Sequence, residues 1–210
     1  MTLILFFQIF FVCLLGAISP GPSMVVVINN AVFKNRYHGI MTSIGHGIGI
    51  SVYAIFAVIG IGLIIEANII LFNSIKLISI AFLFYLGVTS LRNNQKIQFN
   101  KKELNRGITS FLQGFSISIL NPKIFAWFVA FYSQFMSASN DIKFNIYLVL
   151  IAGIVDSCWY IILTLSVTSG MSLAFIKSRS VNLQKIIGYL FLIISAFLLI
   201  NFYLKEFGAI

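Results

Sequence analysis

The chain has 210 residues, of which 60% are hydrophobic and only 9% are charged, and its mean hydropathy is +1.02. Soluble globular proteins carry about 25% charged residues, so this composition excludes an ordinary soluble domain, and it excludes a disordered chain as well. The formal net charge of +9 would suggest a nucleic-acid partner in a soluble protein, but in a chain this apolar it is better explained by membrane topology. We therefore expect an integral membrane protein with no nucleic-acid partner.

Six apolar segments are long enough to cross a bilayer, whose hydrocarbon core requires roughly 20 residues of helix. These segments are residues 3–32, 40–65, 69–91, 108–136, 144–174 and 181–204. The separators at 34–38, 66–68, 92–106, 137–143 and 177–179 are short and carry most of the charge. The segments far exceed the roughly 10-residue alternating strands of a membrane barrel. The sequence therefore predicts an all-α membrane protein with six transmembrane helices.

The first and fourth segments each contain a helix breaker. Ser19-Pro20-Gly21-Pro22 interrupts the first, and Asn121-Pro122-Lys123 interrupts the fourth. Proline removes a backbone donor and disfavours helix in the residue before it. Ser19 and Asn121 are residue types that favour the N-cap, and proline is favoured in the first turn of a helix. Each break therefore predicts that a half-helix begins inside the membrane.

The two breaks lie about 100 residues apart, which suggests an internal repeat. The segment GIGISVY at 47–53 follows the first break, and GIVDSCW at 153–159 follows the second. KLI at 76–78 and KII at 185–187 then open the third span of each half. An odd number of spans per repeat inserts the second copy upside down. We expect one transmembrane domain over residues 1–210, made of inverted three-helix repeats at 1–91 and 107–210 and joined by a basic cytoplasmic loop at 92–106.

The same landmarks resemble a known family. The segment GAISPGP at 16–22, the basic turn after it, the glycine-rich stretch at 39–49 and the NPK motif at 121–123 are similar to those of the LysE/RhtB-type amino-acid exporters. The resemblance covers the whole chain in length, span number and motif order. It implies a multi-pass carrier of the bacterial inner membrane that exports amino acids or related metabolites by proton antiport.

The helix breaks are the candidate substrate site. A half-helix that begins in the membrane directs unpaired N–H groups and a partial positive charge at whatever occupies the break, which suits a carboxylate. Lys123 adds a full positive charge if it points inward. The alternative is that the prolines only kink helices for packing. The candidate substrate-binding residues are Ser19, Pro20, Gly21, Pro22, Ser23, Asn121, Pro122 and Lys123.

Asp156 and His46 are the candidate residues for proton coupling or ammonium binding. A carboxylate near the centre of a span costs on the order of 2.5 to 3.5 kcal/mol on insertion scales, so it generally faces a cavity or a partner and has a function. The alternative for Asp156 is a structural ion pair, for which Lys123 is the candidate partner. The alternative for His46 is a hydrogen bond to a neighbouring helix.

Other features point away from enzyme chemistry. The sequence has no GxSxG, HExxH, GxxxxGK[ST] or GxGxxG motif, so we expect no catalytic residues, cofactor or metal site. Cys13 and Cys158 are interpreted as packing residues. Gly45, Gly49 and Ala57 form a small-residue face for close helix packing, either within one chain or across a homodimer. The competing function is a membrane-embedded enzyme or scaffold on a six-helix bundle.

The distribution of basic residues predicts the orientation. The connections that follow the odd-numbered spans carry ten of the 14 Lys and Arg residues: Lys34, Arg36, Arg92, Lys96, Lys101, Lys102, Arg106, Lys177, Arg179 and Lys185. The remaining connections and the C-terminal segment carry Lys76, Lys143 and Lys205. Cytoplasmic loops hold the excess of positive charge, so both termini are expected outside the cytoplasm.

Overall fold

The computed structural model describes residues 3–93, 98–99, 107–136, 142–171 and 173–206, and every regular element in these ranges is an α-helix. The helices are α1 (Leu3–Ile18), α2 (Pro22–Phe33), α3 (Arg36–Ala67), α4 (Ile69–Arg92), α5 (Gly107–Ile119), α6 (Pro122–Phe135), α7 (Ile142–Thr168) and α8 (Leu173–Glu206). Most of the predicted basic loop at 92–106 and of the connection at 137–143 lies outside the described residues.

The helices account for the six predicted spans. Helices α3, α4, α7 and α8 are each long and apolar enough to cross a bilayer. The pairs α1–α2 and α5–α6 are bent by 68° and 54° at the two proline breaks, and each pair supplies one more candidate span. Exposed apolar side chains occur along all of the long helices, as expected where lipid is the solvent. The chain is a multi-pass membrane protein with four to six candidate spans, and two of the candidates are helix pairs bent at a break.

The fifth span ends earlier than the sequence predicted. Helix α7 ends at Thr168 rather than near residue 174, and Gly170 adopts a positive φ of 113°. The Met171 N–H donates to the Ser166 carbonyl at 3.1 Å, which is the bond that closes a Schellman motif after a helix. Helix α8 then begins at Leu173, so Lys177 and Arg179 lie in its first turns rather than in a separator.

Glycines bring α3 and α5 into backbone contact. A Cβ atom on Gly45 would overlap the Phe111 carbonyl oxygen, and a Cβ on Gly114 would overlap the carbonyl oxygen of Thr42. A Cβ on Gly49 would overlap the Ser118 hydroxyl. The small-residue face predicted on α3 therefore packs within the chain, against the first half of the interrupted fourth span.

Two helix crossings are reciprocal. Where α3 crosses α7, Gly47 packs on Ser157 while Gly153 packs on Ser51. Where α4 crosses α8, Gly87 packs on Leu192 while Gly188 packs on Leu91. In each crossing the earlier residue of one helix meets the later residue of the other, so the two helices run antiparallel.

A polar network joins α2, α3 and α5 at the end of the bundle where α3 and α5 begin. Asn30 Nδ2 donates to Gln113 Oε1 at 2.9 Å, and Lys34 Nζ donates to Ser110 Oγ at 3.0 Å. Nδ1 of His38 lies 3.0 Å from the same Ser110 hydroxyl. Desolvation lowers the pKa of the Lys34 ammonium group. The network holds the second half of span one against the first half of span four.

The α3–α5 contact predicts opposite effects for two glycines of one helix. Gly45→Ala should lower the thermal stability of the detergent-solubilised protein, because overpacking a close contact costs about 1–3 kcal/mol. Gly60→Ala is the matched control, since among the described residues no atom outside its own stretch of helix lies within 4 Å of its Cβ position. That substitution should be neutral or stabilise the helix by about 0.5–1 kcal/mol. Equal melting temperatures for both variants would contradict the packing described.

Candidate functional site

The two proline breaks meet at a cavity of about 660 Å³, its open side included. The cavity is bounded by residues of α1, α2, α3, α6 and α7 and by the breaks themselves. Among the residues predicted from the sequence, it is lined by Ser19, Gly21, Ser23, His46, Asn121, Lys123 and Asp156. Pro20, Pro22 and Pro122 shape the breaks without lining the cavity. Two halves of the chain that are far apart in sequence thus share one site.

The first break differs in detail from the prediction. Helix α1 ends at Ile18, and the N-cap of α2 is Gly21, which has an extended backbone and no capping side chain; Pro22 follows in the first turn. Ser19 therefore does not cap α2. Its hydroxyl instead accepts a hydrogen bond from Lys123 Nζ, because the second break brings this ammonium group alongside it.

The second break matches the prediction and is connected to the first. Asn121 is the N-cap of α6, and its Oδ1 accepts from the Lys123 N–H at 3.0 Å. Its Nδ2 donates to the Ser23 hydroxyl at 3.4 Å. A Cβ on Gly21 would lie 4.0 Å from Lys123 Nζ. Hydroxyl groups, an amide and an ammonium group are therefore concentrated where the two helix N-termini meet.

Asp156 pairs with His46 at the same cavity. Asp156 Oδ2 lies 2.6 Å from His46 Nδ1, and the two side chains are only 7% and 2% exposed. The partner proposed for Asp156 from the sequence was Lys123, but in the described part of the chain the Asp156 carboxyl group contacts the imidazole of His46 instead. Helices α3 and α7 cross closely at Gly47 and Gly153. This crossing brings the side chains of His46 and Asp156 into contact.

His46 retains one unused hydrogen-bonding position. Its Nδ1 faces Asp156, while its buried Nε2 has no hydrogen-bond partner among the described residues. The ring of Tyr160 packs edge-on against the imidazole, with the ring centroids 4.9 Å apart. An imidazole with one nitrogen on a carboxylate and no partner at the other can make one further hydrogen bond to a ligand.

Several cavity residues were not predicted as site residues. Tyr160 lies one helical turn beyond Asp156, and Trp127 lies one turn beyond Lys123. Phe128 also lines the cavity, as does Cys13, which was interpreted as a packing residue. The available signal was helical spacing, because residues four apart share a face of a helix.

The fold and the site together define a class. Interrupted spans that enclose a polar cavity within a helical membrane bundle are the arrangement typical of secondary transporters. A sequence profile described as LysE type translocator matches residues 14–202. The chain belongs to this family of membrane translocators, whose members are transporters rather than enzymes.

Relatives of the chain agree with this assignment. It is 32% identical over 139 residues to the threonine efflux protein of Salmonella typhi, a match that covers 64% of this chain and 68% of the relative. It is 30% identical over 139 residues to the threonine efflux protein of Escherichia coli K12, with the same coverage. An uncharacterized membrane protein of Bacillus subtilis, YrhP, is 30% identical over 147 residues, 65% of this chain and 69% of the relative. No solved structure matches the chain.

The geometry of the breaks predicts the effect of filling the space at Gly21. Gly21→Val should lower substrate affinity at least tenfold, because a side chain there meets Lys123 Nζ and occupies the approach to the two helix N-termini. The folded protein should persist, since the Gly21 backbone is extended and accepts any residue. Asn121→Ala removes a cap worth roughly 1 kcal/mol and should give a milder binding defect.

Substrate binding and thermal stability measured together decide the role of the breaks. Gly60→Val is the matched control, because it adds the same side chain to a glycine whose Cβ position is open. Unchanged affinity in both Gly21→Val and Asn121→Ala, or unfolding of Gly21→Val, would show that the breaks serve packing alone.

Proposed function

We propose that the chain exports amino acids or closely related metabolites across the bacterial inner membrane by proton antiport, and that it binds them between the two helix breaks. The observation that carries the proposal is one cavity with an ammonium group and two helix N-termini on one wall and a buried carboxylate–imidazole pair on another. These groups complement the carboxylate and the ammonium group of an amino acid. The names of the threonine efflux relatives support the same substrate class.

The substrate carboxylate is assigned to the wall formed by the breaks. The positive ends of the α2 and α6 helix dipoles attract an anion. The first N–H groups of α6 already donate to Asn121, so α6 contributes its dipole and the charge of Lys123. Lys123 Nζ supplies a full charge and is already oriented by Ser19. Gly21 leaves the backbone open to close approach by the ligand. Ser23 and Asn121 add polar contacts on either side.

Asp156 and His46 are assigned to the substrate ammonium group and to proton coupling. Inside a membrane an ionisable pair of this kind marks a substrate or proton pathway. A substrate ammonium group that binds Asp156 would compete with His46 for the carboxylate, and the vacant Nε2 of His46 gives the proton a second place to reside. Substrate and proton would then depend on the same two side chains, as antiport requires.

We further propose that the two halves are inverted repeats and that both termini lie outside the cytoplasm. The reciprocal contacts of Gly47 with Ser157 and of Gly153 with Ser51 support a two-fold relation between α3 and α7. Rocking of one repeat against the other would expose the cavity alternately to the two sides. The polar network of Asn30, Ser110 and Gln113 would then have to open on the basic side.

Asp156→Asn tests the coupling directly. In liposomes that contain the full-length protein, the rate of export driven by a proton gradient should be at least tenfold lower for the variant. The amide keeps the size of the side chain and its contact with His46, but it cannot ionise. Substrate-for-substrate exchange separates the two roles. Retained exchange identifies Asp156 as the proton carrier, whereas loss of both activities identifies it as the ammonium ligand.

The control for this experiment is Ser79→Ala, which changes a buried polar residue on α4 away from the cavity. It should export normally. Normal gradient-driven export by a well-expressed Asp156→Asn protein would contradict the assignment and leave Asp156 with a structural role.

A further inference from the structure

The cavity has two chemically different ends. Tyr53 stacks on Phe128 with 6.1 Å between ring centroids, and Tyr132 donates to the Leu148 carbonyl at 2.9 Å. These contacts place the later turns of α3 and α6 beside the earlier turns of α7. One helical turn beyond His46 and Lys123, and one turn before Asp156, the cavity is lined by Ile50, Trp127 and Ala152. The other apolar lining residues include Val12, Gly16 and Phe128. One end is therefore polar and the other apolar.

The apolar end lacks the groups needed to hold a charge. Tyr132 lines it, but the Tyr132 hydroxyl donates its proton to the Leu148 carbonyl, so this residue offers the cavity no free hydrogen-bond donor and no charge. The charged lining residues among those described, Lys123 and Asp156, lie at the polar end together with His46. A charged group placed at the apolar end would lose its hydration without gaining a counter-ion.

Trp127 is fixed at this end by contacts on both sides. Its ring centroid lies 4.1 Å from that of Phe131 and 4.9 Å from that of Phe191. On α1, a Cβ added to Gly16 would lie only 2.7 Å from the indole Nε1 and 2.9 Å from Cε2. The indole can therefore occupy its place only because residue 16 is glycine, and any side chain there would push the ring.

We propose that the apolar end is the compartment for the substrate side chain, and that the contact between Gly16 and Trp127 sets its size. This inference rests on the proposed function, with the substrate's ammonium and carboxylate groups bound at the polar end. The apolar compartment selects zwitterionic amino acids whose side chains are uncharged and apolar. Basic and acidic amino acids are rejected because their side chains would be desolvated next to Trp127 and Phe128.

The first test compares side chains on the full-length protein in liposomes. Radiolabelled leucine is exchanged in the presence of unlabelled alanine, valine, leucine, phenylalanine, lysine or glutamate. The best of the uncharged amino acids should compete at least tenfold more strongly than lysine and glutamate. Competition led by lysine or glutamate would overturn this inference and leave the proposed function intact. Failure of the protein to carry or bind any amino acid would overturn both.

The second test changes the size of the compartment. Trp127→Ala should raise the competition by phenylalanine relative to alanine at least fivefold, because removal of the indole enlarges the apolar end. Gly16→Ala should shift the same ratio toward alanine, because the indole is pushed into the cavity. Phe84→Ala, an exposed position on α4, is the control and should leave the ratio unchanged.

A ratio of competitors does not depend on how much protein folds, so lower expression of Gly16→Ala leaves the comparison valid. If Gly16→Ala does not fold, Trp127→Ala alone carries the test. An unchanged phenylalanine-to-alanine ratio in Trp127→Ala would overturn the inference.

Discussion

Backbone N–H and C=O groups have no water to bind in the hydrocarbon core of a bilayer, so a helix can be interrupted there only where protein or a polar cavity satisfies the exposed groups. The rest of the site depends on this constraint. Pro20, Pro22 and Pro122 force two interruptions, and the chain meets the constraint by placing both at the same cavity. Lys123 is held there by Ser19, and Asn121 caps the helix that follows it. Asn121 satisfies a backbone N–H at the second break, and Lys123 places there the positive charge that we propose binds the substrate carboxylate.

Close helix contacts hold this arrangement in place. Lipid provides no hydrophobic force to drive helices together, so packing depends on small residues that allow backbones to approach. Gly45 and Gly114 join α3 to α5, and Gly47 and Gly153 join α3 to α7. Helix α3 thereby carries His46 to Asp156 on one side and holds the interrupted fourth span on the other. Disturbing its glycines should therefore affect stability and transport together.

The sequence was informative where one residue type has one physical consequence. The prolines predicted both breaks, and the length of the apolar segments predicted the six candidate spans. Asp156 predicted a cavity, because a carboxylate inside a span is costly unless it faces a cavity or a partner. Ser19 was assigned the wrong role because its partner, Lys123, is distant in sequence and reaches it only after folding. The end of α7 was predicted too late because the apolar sequence continues past Gly170, whereas the helical backbone ends before this residue, which has a positive φ. Lys76 and Lys185 were suggested as equivalent positions at the start of the third span of each half, and the structure does not pair them. The reciprocal contact of α4 with α8 pairs Gly87 with Gly188 instead. The position of Trp127 at the cavity could not be predicted, because it depends on a packing contact with Gly16 that forms only in the folded chain.

We propose that one cavity binds both charged groups of a zwitterion, and the affinity of the purified protein for an amino acid and its analogues tests this directly. Calorimetry should compare leucine with leucinamide, which lacks the carboxylate, and with isocaproate, which lacks the ammonium group. Each analogue should bind at least tenfold more weakly than leucine, because each leaves either Lys123 and the helix N-termini or the Asp156–His46 pair without its partner. Binding of either analogue as tightly as leucine would contradict the account, because one wall of the cavity would then take no part in recognition.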